Sequence, residues 1–192
     1  MTKFIIVLSA LLFAVGCNNT ASTTDTGGVV TGKVNERNKL REDKDPSGAV
    51  KKGSLVLRMA DAKARKGETV CLPVEVAGFN NLIGLQYTMR FDSAALKYTR
   101  LRNYGLPQYG ASNFGVRFVE RGYLSTLWHD ASLQGVTKPA GTTMFEVCFE
   151  NLMAKGEETE VWFADGPTSF EVIAADMNQL HFVYANGKVT SR

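Results

Sequence analysis

The strongest constraint on the fold is a period-two alternation of apolar and polar residues after Ser54. Apolar side chains occupy every second position in residues 69–76, 83–92 and 143–150. Successive side chains of a strand point to opposite faces, so this period is typical of half-buried β-strands. Shorter segments also predict strands, at residues 55–59, 96–102, 116–120, 123–128, 160–163 and 180–184.

Turn signals separate these segments, among them Gly53, Gly67, Gly78, Gly122 and Gly156. About nine short strands with no convincing amphipathic helix predict an all-β jelly-roll sandwich over residues 54–192. By alternation Trp128 belongs to its core, and we assign Trp162 to the core as well.

The N-terminal residues have the features of an export signal. Lys3 precedes an apolar run over residues 4–15, which is too short to span a bilayer because spanning takes ~20 residues. This order predicts a lipoprotein signal peptide over residues 1–16. Ala14-Val15-Gly16-Cys17 fits the box read by lipoprotein signal peptidase, so Cys17 is the predicted lipid acceptor. An ordinary signal followed by a chance cysteine is the alternative.

Residues 17–53 differ in composition from the predicted sandwich. Small polar residues fill 18–28, and residues 35–45 mix both signs of charge with almost no large apolar side chain. Such a segment cannot bury enough surface to offset its ordering entropy. We therefore predict a flexible polar tether. With a lipid anchor and no membrane span, the protein is expected at the bacterial cell envelope, at the outer membrane or cell surface in a Gram-negative cell.

Charge and motifs narrow the function classes. Removing the signal takes away Lys3 and no acid, so the net charge falls from +3 to +2, too little to argue for nucleic acid. G-x-S-x-G, H-E-x-x-H and C-x-x-C are absent. Ser125, His129 and Asp130 do not make a triad, because adjacent strand residues point to opposite faces. We predict a protein that is not an enzyme and needs no metal or cofactor.

Cys71 and Cys148 are the remaining thiols once Cys17 is acylated. Disulfides persist in the oxidising compartments outside the cytoplasm. Alternation puts both cysteines on outward strand faces, and antiparallel pairing would bring directly opposed positions within bridging distance. A Cys71–Cys148 disulfide is predicted, with two free, packed cysteines as the alternative.

A Gly/Asn/Tyr-rich loop over residues 103–114 contains Tyr104, Tyr109 and Phe114. Aromatic rings with amide neighbours can stack on sugars or fill a protein hot spot. Tyr104 and Tyr109 are therefore candidate glycan or loop contacts. In the alternative interpretation the loop packs its own aromatic rings against the sandwich.

Five segments, in order, resemble cohesin domains. Residues 67–76 (GETVCLPVEV) resemble the G-x-T-V-x-[VL]-P-V-x-[VL] strand, and residues 83–96 (IGLQYTMRFDSAAL) resemble the segment that ends in Y-D-p-s-v-L. The other three are residues 122–130 (GYLSTLWHD), 145–149 (FEVCF) and the closing 184–190 (YANGKVT). Together they span nearly all of residues 54–190.

The resemblance implies a nine-stranded jelly roll related to cellulose-binding modules. It also implies a non-catalytic role, because cohesins bind calcium-loaded dockerin modules, often of polysaccharide-degrading enzymes. The strands matching 69–76 and 143–150 are neighbours in that fold, which agrees with the disulfide. The dockerin-binding face lies on the strands matching 83–92 and 123–130, which gives Gln86, Thr88, Leu127 and Asp130 as partner contacts. Asp130 joins them only if its strand ends or bulges before it.

Two functional hypotheses follow. The first is a cohesin-like module that docks a dockerin-type or other protein partner. The second is a carbohydrate-binding module of the same sandwich superfamily, with polysaccharide as its ligand. A planar row of exposed aromatic rings would favour the second, and a flat polar face with a few apolar anchors would favour the first.

The anchor is testable by substitution. Cys17→Ser should remove the protein from the membrane fraction or stall its processing, because the acyl chains would be its only membrane attachment. Metabolic labelling with a palmitate analogue should mark the wild-type protein only. Equal labelling of both proteins would contradict the lipoprotein prediction.

Overall fold

The computed structural model describes residues 28–43 and 51–192. Two short 3₁₀ helices, Ala111–Asn113 and Val119–Arg121, lie between the strands. In these two ranges, no helix has the length and apolar character that crossing a membrane requires. The strands in chain order are Val30–Thr31 (β1), Arg41–Glu42 (β2), Ser54–Met59 (β3), Ala62–Ala64 (β4), Thr69–Ala77 (β5), Leu82–Phe91 (β6), Leu96–Arg102 (β7), Phe114–Gly115 (β8), Tyr123–His129 (β9), Thr142–Asn151 (β10), Glu158–Ala164 (β11), Glu171–Ala174 (β12), His181–Ala185 (β13) and Gly187–Ser191 (β14).

These strands form two sheets packed as a sandwich. The first has the order β2-β13-β3-β5-β10-β7, with β1 on β5. The second has the order β4-β14-β11-β6-β9-β8, with β12 on β6. The predicted all-β sandwich is confirmed.

The core lies between the two sheets and is filled by the apolar positions of the alternating segments. The Tyr87 ring of the second sheet lies 5.2 Å from the Phe182 ring of the first, and Phe91 lies 4.8 Å from Phe149 in the same way. Each large apolar side chain that is fully buried here contributes roughly 1.5–3 kcal/mol relative to an exposed one. Trp128 is buried as predicted, and its indole N–H donates to the Pro107 carbonyl at 2.8 Å.

Eight of the nine predicted strand segments overlap strands of the structure. The prediction for residues 116–120 is wrong, because this segment turns into the helix Val119–Arg121. The helix ends where Gly122 adopts a φ of +74°, a conformation that glycine adopts without strain. Val119 packs on the core while Phe118 stays exposed, so the segment turns without pairing as a strand.

Residues 28–43, here called the strap, correct the tether prediction. Their side chains bury little surface, yet β1 pairs in parallel with β5 at Val70 and Cys71, and β2 pairs antiparallel with β13. The strap is therefore held by backbone hydrogen bonds to sheet edges that composition does not reveal. Residues 1–27, with Cys17, and residues 44–50 lie outside the described residues.

Side chains also fix the strap. Asp61 accepts hydrogen bonds from the amides of Asn35 at 3.2 Å and Asn38 at 3.0 Å. At the other end, Asp43 accepts from the Phe182 backbone N–H at 3.0 Å and pairs with Lys51. Both members of that ion pair are nearly inaccessible, with side chains 5% and 3% exposed.

The predicted disulfide between Cys71 and Cys148 is present. The two residues are directly opposed in the antiparallel β5–β10 pair, as the alternation required. Although both cysteines point outward from the first sheet, their side chains are fully buried. The Glu146 carboxylate lies over the sulfurs, where it accepts from Arg102 Nε at 2.7 Å and from the Asn103 amide at 2.6 Å.

Removing the disulfide should lower the free energy of unfolding. The bond joins residues 77 apart in sequence, and a loop of this length gives a stabilisation of about 4 kcal/mol in the chain-entropy model. The double variant Cys71→Ala, Cys148→Ala should unfold at a lower urea concentration than the oxidised wild-type protein. Reduced wild type serves as the control and should behave like the variant. Two alkylatable thiols in freshly isolated protein would contradict the bond.

Candidate functional site

The candidate site is the outer face of the second sheet where β6 and β9 pair, here called the β6–β9 face. The antiparallel register aligns its outward residues in rows, of which Gln86 opposite Leu127 and Arg90 opposite Tyr123 matter most. Thr88 opposite Ser125 lies between those two rows, and Gly84 opposite His129 lies beyond them. The inward neighbours are locked in the core, so this register is fixed by burial.

Gln86 and Leu127 are brought together as predicted. Leu127 is 50% exposed, and Gln86 is partly exposed between Leu127 and Glu171 of β12. Beside this pair, the missing side chain of Gly84 leaves a hollow of about 170 Å³ rimmed by His129 and Ile173. The combination offers an apolar anchor, an amide that can donate and accept, and a recess large enough for one partner side chain.

Thr88 does not belong to the exposed site, although its side chain points to the predicted face. It is fully buried beneath residues 165–170, the connection between β11 and β12. Its hydroxyl donates to the Thr168 carbonyl and accepts from the Thr168 N–H, both at 2.9 Å. Alternation predicted the direction of the Thr88 side chain correctly. It could not predict its burial, because the covering loop lies some eighty residues away in sequence.

β9 ends at His129, one residue before Asp130, so the strand ends where Asp130 would need it to end in order to join the face. Its carboxylate is occupied by the turn that follows, because it accepts from the Ser132 hydroxyl and from the N–H groups of Ser132 and Gly135. These bonds, led by the one from the Ser132 hydroxyl, hold the pKa of Asp130 below its usual value. Asp130 therefore orders the turn at the end of the face.

The loop of residues 103–114 packs its own aromatic rings, as the alternative interpretation predicted. Tyr109 is buried, with its hydroxyl 2.6 Å from Thr126 Oγ1 and its ring 5.0 Å from Phe114. The half-buried Tyr104 ring lies 6.1 Å from Tyr109. Burial therefore excludes Tyr109 as a glycan platform, and Tyr104 packs against it.

Sequence reasoning missed a cationic and aromatic cluster at one end of the face. Arg90 lies with its guanidinium 4.4 Å from the Tyr123 ring centre and 5.7 Å from the Trp162 ring centre. The assignment of Trp162 to the core is wrong: it is half-buried and faces outward from β11. The signal was available, because Val161 and Phe163 point inward and the residue between them must point outward.

A pocket of about 540 Å³ opens beside this cluster. It is lined by Arg90, Phe118, Arg121, Tyr123, Gly166 and Pro167. Two guanidinium groups and three apolar walls therefore meet at one end of the β6–β9 face, whereas the Gly84 hollow lies at the other.

Ser125, His129 and Asp130 lie on or next to the β6–β9 face. Within the described ranges, Ser125 and His129 form no side-chain hydrogen bond with each other or with Asp130, so they make no nucleophile–base pair. Among the described residues, two groups are close enough together to share an ion, and both lie away from this face. One is Cys71, Glu146 and Cys148, whose sulfurs form the disulfide, and the other is Glu42, Asp43 and His181. In the second group, His181 pairs with Glu42 at 2.6 Å while Asp43 pairs with Lys51.

Comparison with known proteins identifies the fold. Over 73% of its length the chain is similar to a complete chain of the Coh-OlpA–Doc918 type I cohesin–dockerin complex from Clostridium thermocellum, with a TM-score of 0.61 and 18% identity. The seventh ScaB type I cohesin from Pseudobacteroides cellulosolvens aligns over 91% of its chain with 72% of this one, at a TM-score of 0.59 and 18% identity. A non-cellulosomal cohesin from the archaeon Archaeoglobus fulgidus aligns over 90% of its chain with 71% of this one, at 0.57 and 15% identity.

These similarities show that the chain has the cohesin fold, as the sequence resemblance predicted. No protein-family model matches the sequence, and a search of curated proteins found no match either.

The burial of Thr88 generates a stability prediction. Thr88→Val keeps the shape of the side chain but leaves the N–H and carbonyl of Thr168 without their partner. An unpaired buried polar group costs about 1–3 kcal/mol, so the free energy of unfolding should fall by at least the lower figure in a urea titration. Ser125→Ala is the matched control on the same row of the face, and a surface change of this kind should stay within about 0.5 kcal/mol. Equal stability of the two variants would contradict the buried hydrogen bonds between Thr88 and Thr168.

Proposed function

We propose that the protein is a non-catalytic docking module that binds a dockerin-type protein partner through the β6–β9 face. The observation that carries this proposal is the pairing of Gln86 with the exposed Leu127 beside the Gly84 hollow. Lipid on Cys17 would hold the module at the bacterial cell envelope, and a link with polysaccharide degradation would come through the partner.

The position of Leu127 supports a docking role. Exposed single apolar residues are ordinary on protein surfaces. Among the described residues, however, Leu127 is the only exposed large apolar side chain that lies in a β-strand, because the others occupy loops and turns. Interface hot spots are well-packed residues near the centre of a patch, most often Trp, Tyr or Arg, surrounded by groups that exclude water. Leu127 pairs with β6 on one side and accepts a hydrogen bond from the Asn113 amide on the other, beside the recess, and this placement fits the position of a central anchor.

The comparisons support the choice of partner. The Clostridium thermocellum structure is a cohesin–dockerin complex, and so is the CaDoc0917–CaCohA2 structure to which 72% of this chain is similar. The docking face predicted from cohesin-like segments is the face on which the exposed leucine and the recess occur. A dockerin-type module is therefore the partner to test first.

The carbohydrate hypothesis loses its predicted contacts. Sugar-binding faces present aromatic rings to solvent, but Tyr109 and the adjacent Phe114 are buried, and Tyr104 packs against them. On the β6–β9 face, one side of the Tyr123 ring is covered by Arg90. We therefore treat polysaccharide binding as the alternative result that the binding experiment must exclude.

Truncating the central anchor should weaken partner binding. Leu127→Ala is expected to cost more than ~1 kcal/mol of binding free energy, about a five-fold rise in Kd, while Gln86→Ala costs less because an amide at the rim stays solvated. Calorimetric titration of the mature chain, carrying Cys17→Ser for solubility, against candidate dockerin modules measures both.

Leu40→Ala is the matched control for this experiment. Leu40 has similar exposure, 42% against 50%, and lies in the strap beside the first sheet. Its truncation should leave Kd unchanged. Xylan, cellulose and glucan chains are titrated in parallel. Binding of a glycan with no response to any dockerin would overturn the docking proposal.

A further inference from the structure

The pocket at Arg90 has features that the docking proposal does not use. Arg90 is immobilised by its aromatic neighbours, because its guanidinium lies over Tyr123 and its Nη2 donates to the Tyr123 hydroxyl at 2.9 Å. Stacking fixes the plane of the guanidinium and leaves most of its N–H donors unused. Within the part of the chain that the structure describes, the buried Arg90 Nε has no hydrogen-bond acceptor.

The arginines around this pocket also have no carboxylate partner among the described residues. Arg41, Arg65, Arg102 and Arg192 each approach a carboxylate within 4 Å elsewhere in the molecule. Arg90, Arg117 and Arg121 form no ion pair within residues 28–43 and 51–192, and the same is true there of Arg37, Arg58 and Arg100. Glu120 is the acidic residue within residues 117–121. It is exposed and forms no ion pair with the described residues. Arg117 and Arg121 instead flank the exposed Phe118 ring at 5.5 and 5.6 Å.

The pocket therefore combines positive charge with apolar walls. Arg90 and Arg121 supply guanidinium groups, and Phe118, Tyr123 and Pro167 supply apolar surface in a volume of about 540 Å³. A planar guanidinium forms two parallel hydrogen bonds with a carboxylate. An aspartate or glutamate side chain, with a short apolar stem and a carboxylate at its end, matches this chemistry.

The position of the pocket indicates where such a carboxylate would come from. Arg90 and Tyr123 lie four residues along the same two strands from Gln86 and Leu127. At a rise of ~3.3 Å per residue, the two positions are separated by about 13 Å. One partner surface of ordinary size, near 800 Å² on each side, covers both positions.

We propose that the Arg90–Arg121 pocket binds an acidic side chain of the docked protein partner and is the second anchor of the β6–β9 face. This inference rests on the proposed docking function. It adds that the segment of the partner that contacts this pocket is acidic. Because the guanidinium is already held by its aromatic neighbours, less side-chain entropy is lost when the carboxylate arrives. The contribution of the pocket falls as salt concentration rises, whereas that of Leu127 does not.

A partner-independent titration tests the pocket. Capped hexaglutamate and hexaglutamine peptides are added to the isotope-labelled mature chain carrying Cys17→Ser, and the arginine Nε–H signals are followed by NMR. Hexaglutamate should shift the signals of Arg90 and Arg121 saturably, and hexaglutamine should not. Arg121→Gln, an exposed change that leaves the sheet intact, should weaken the response, while Arg100→Gln on β7 of the first sheet should not. Equal responses to both peptides, or shifts with oligogalacturonate alone, would overturn the proposal.

The same variants separate this inference from the docking function when a binding dockerin is in hand. Arg90→Lys keeps the charge and loses the planar fork, so Kd should rise roughly ten-fold at low salt and approach the wild-type value at high salt. If wild type binds and Leu127→Ala weakens binding while the arginine variants keep the wild-type salt dependence, the second anchor is wrong and the docking function stands. If hexaglutamate binds while every dockerin fails, the pocket stands without that function.

Discussion

The packing of two apolar sheet faces against each other is the constraint on which the other features depend. Cross-sheet ring contacts, such as Tyr87 with Phe182 and Phe91 with Phe149, fix the strands that carry them. A one-residue slip of β6 would point its core residues toward solvent, so burial allows only one register between β6 and β9. That register places Gln86 opposite Leu127 and Arg90 opposite Tyr123 on the other side of the same strands. The geometry of the candidate site is therefore a consequence of the core.

Pairing with sheet edges explains why residues 28–43, which their composition predicted to be a flexible tether, are ordered. β3 pairs with β5 from Val74 to Ala77, and β1 takes up the same side of β5 at Val70 and Cys71. The strap thus supplies backbone partners that the sandwich strands leave unfilled, which also protects the edge from pairing with other chains. If Cys17 carries lipid as proposed, the eleven residues 17–27 separate the anchor from the strap. Their covalent reach is at most roughly 40 Å, so the module would stay close to the membrane surface.

The β6–β9 face divides into two chemically different ends. Leu127 and the Gly84 hollow form an apolar recess, and Arg90 with Arg121 forms a cationic one. Thr88, bonded to the backbone of Thr168, closes the middle of the face and keeps the two recesses apart. An apolar anchor provides affinity through burial, whereas a charged recess mainly selects the partner and its orientation. A partner that fits both has to present an apolar side chain and a carboxylate at a fixed separation.

The sequence by itself determined the sandwich, the strand segments, the Cys71–Cys148 bond and the direction of Gln86 and Leu127. These follow from the period of two, because alternation states on which side of its own strand each residue lies. Only the tertiary structure decided whether an outward side is open. Residues 165–170 bury Thr88, the turn after β9 occupies the Asp130 carboxylate, and the loop of residues 103–114 turns Tyr109 into the core. In the first case the covering segment is distant in sequence, and for the strap the contact is made by backbone groups common to every residue. Neither leaves a local pattern in the sequence.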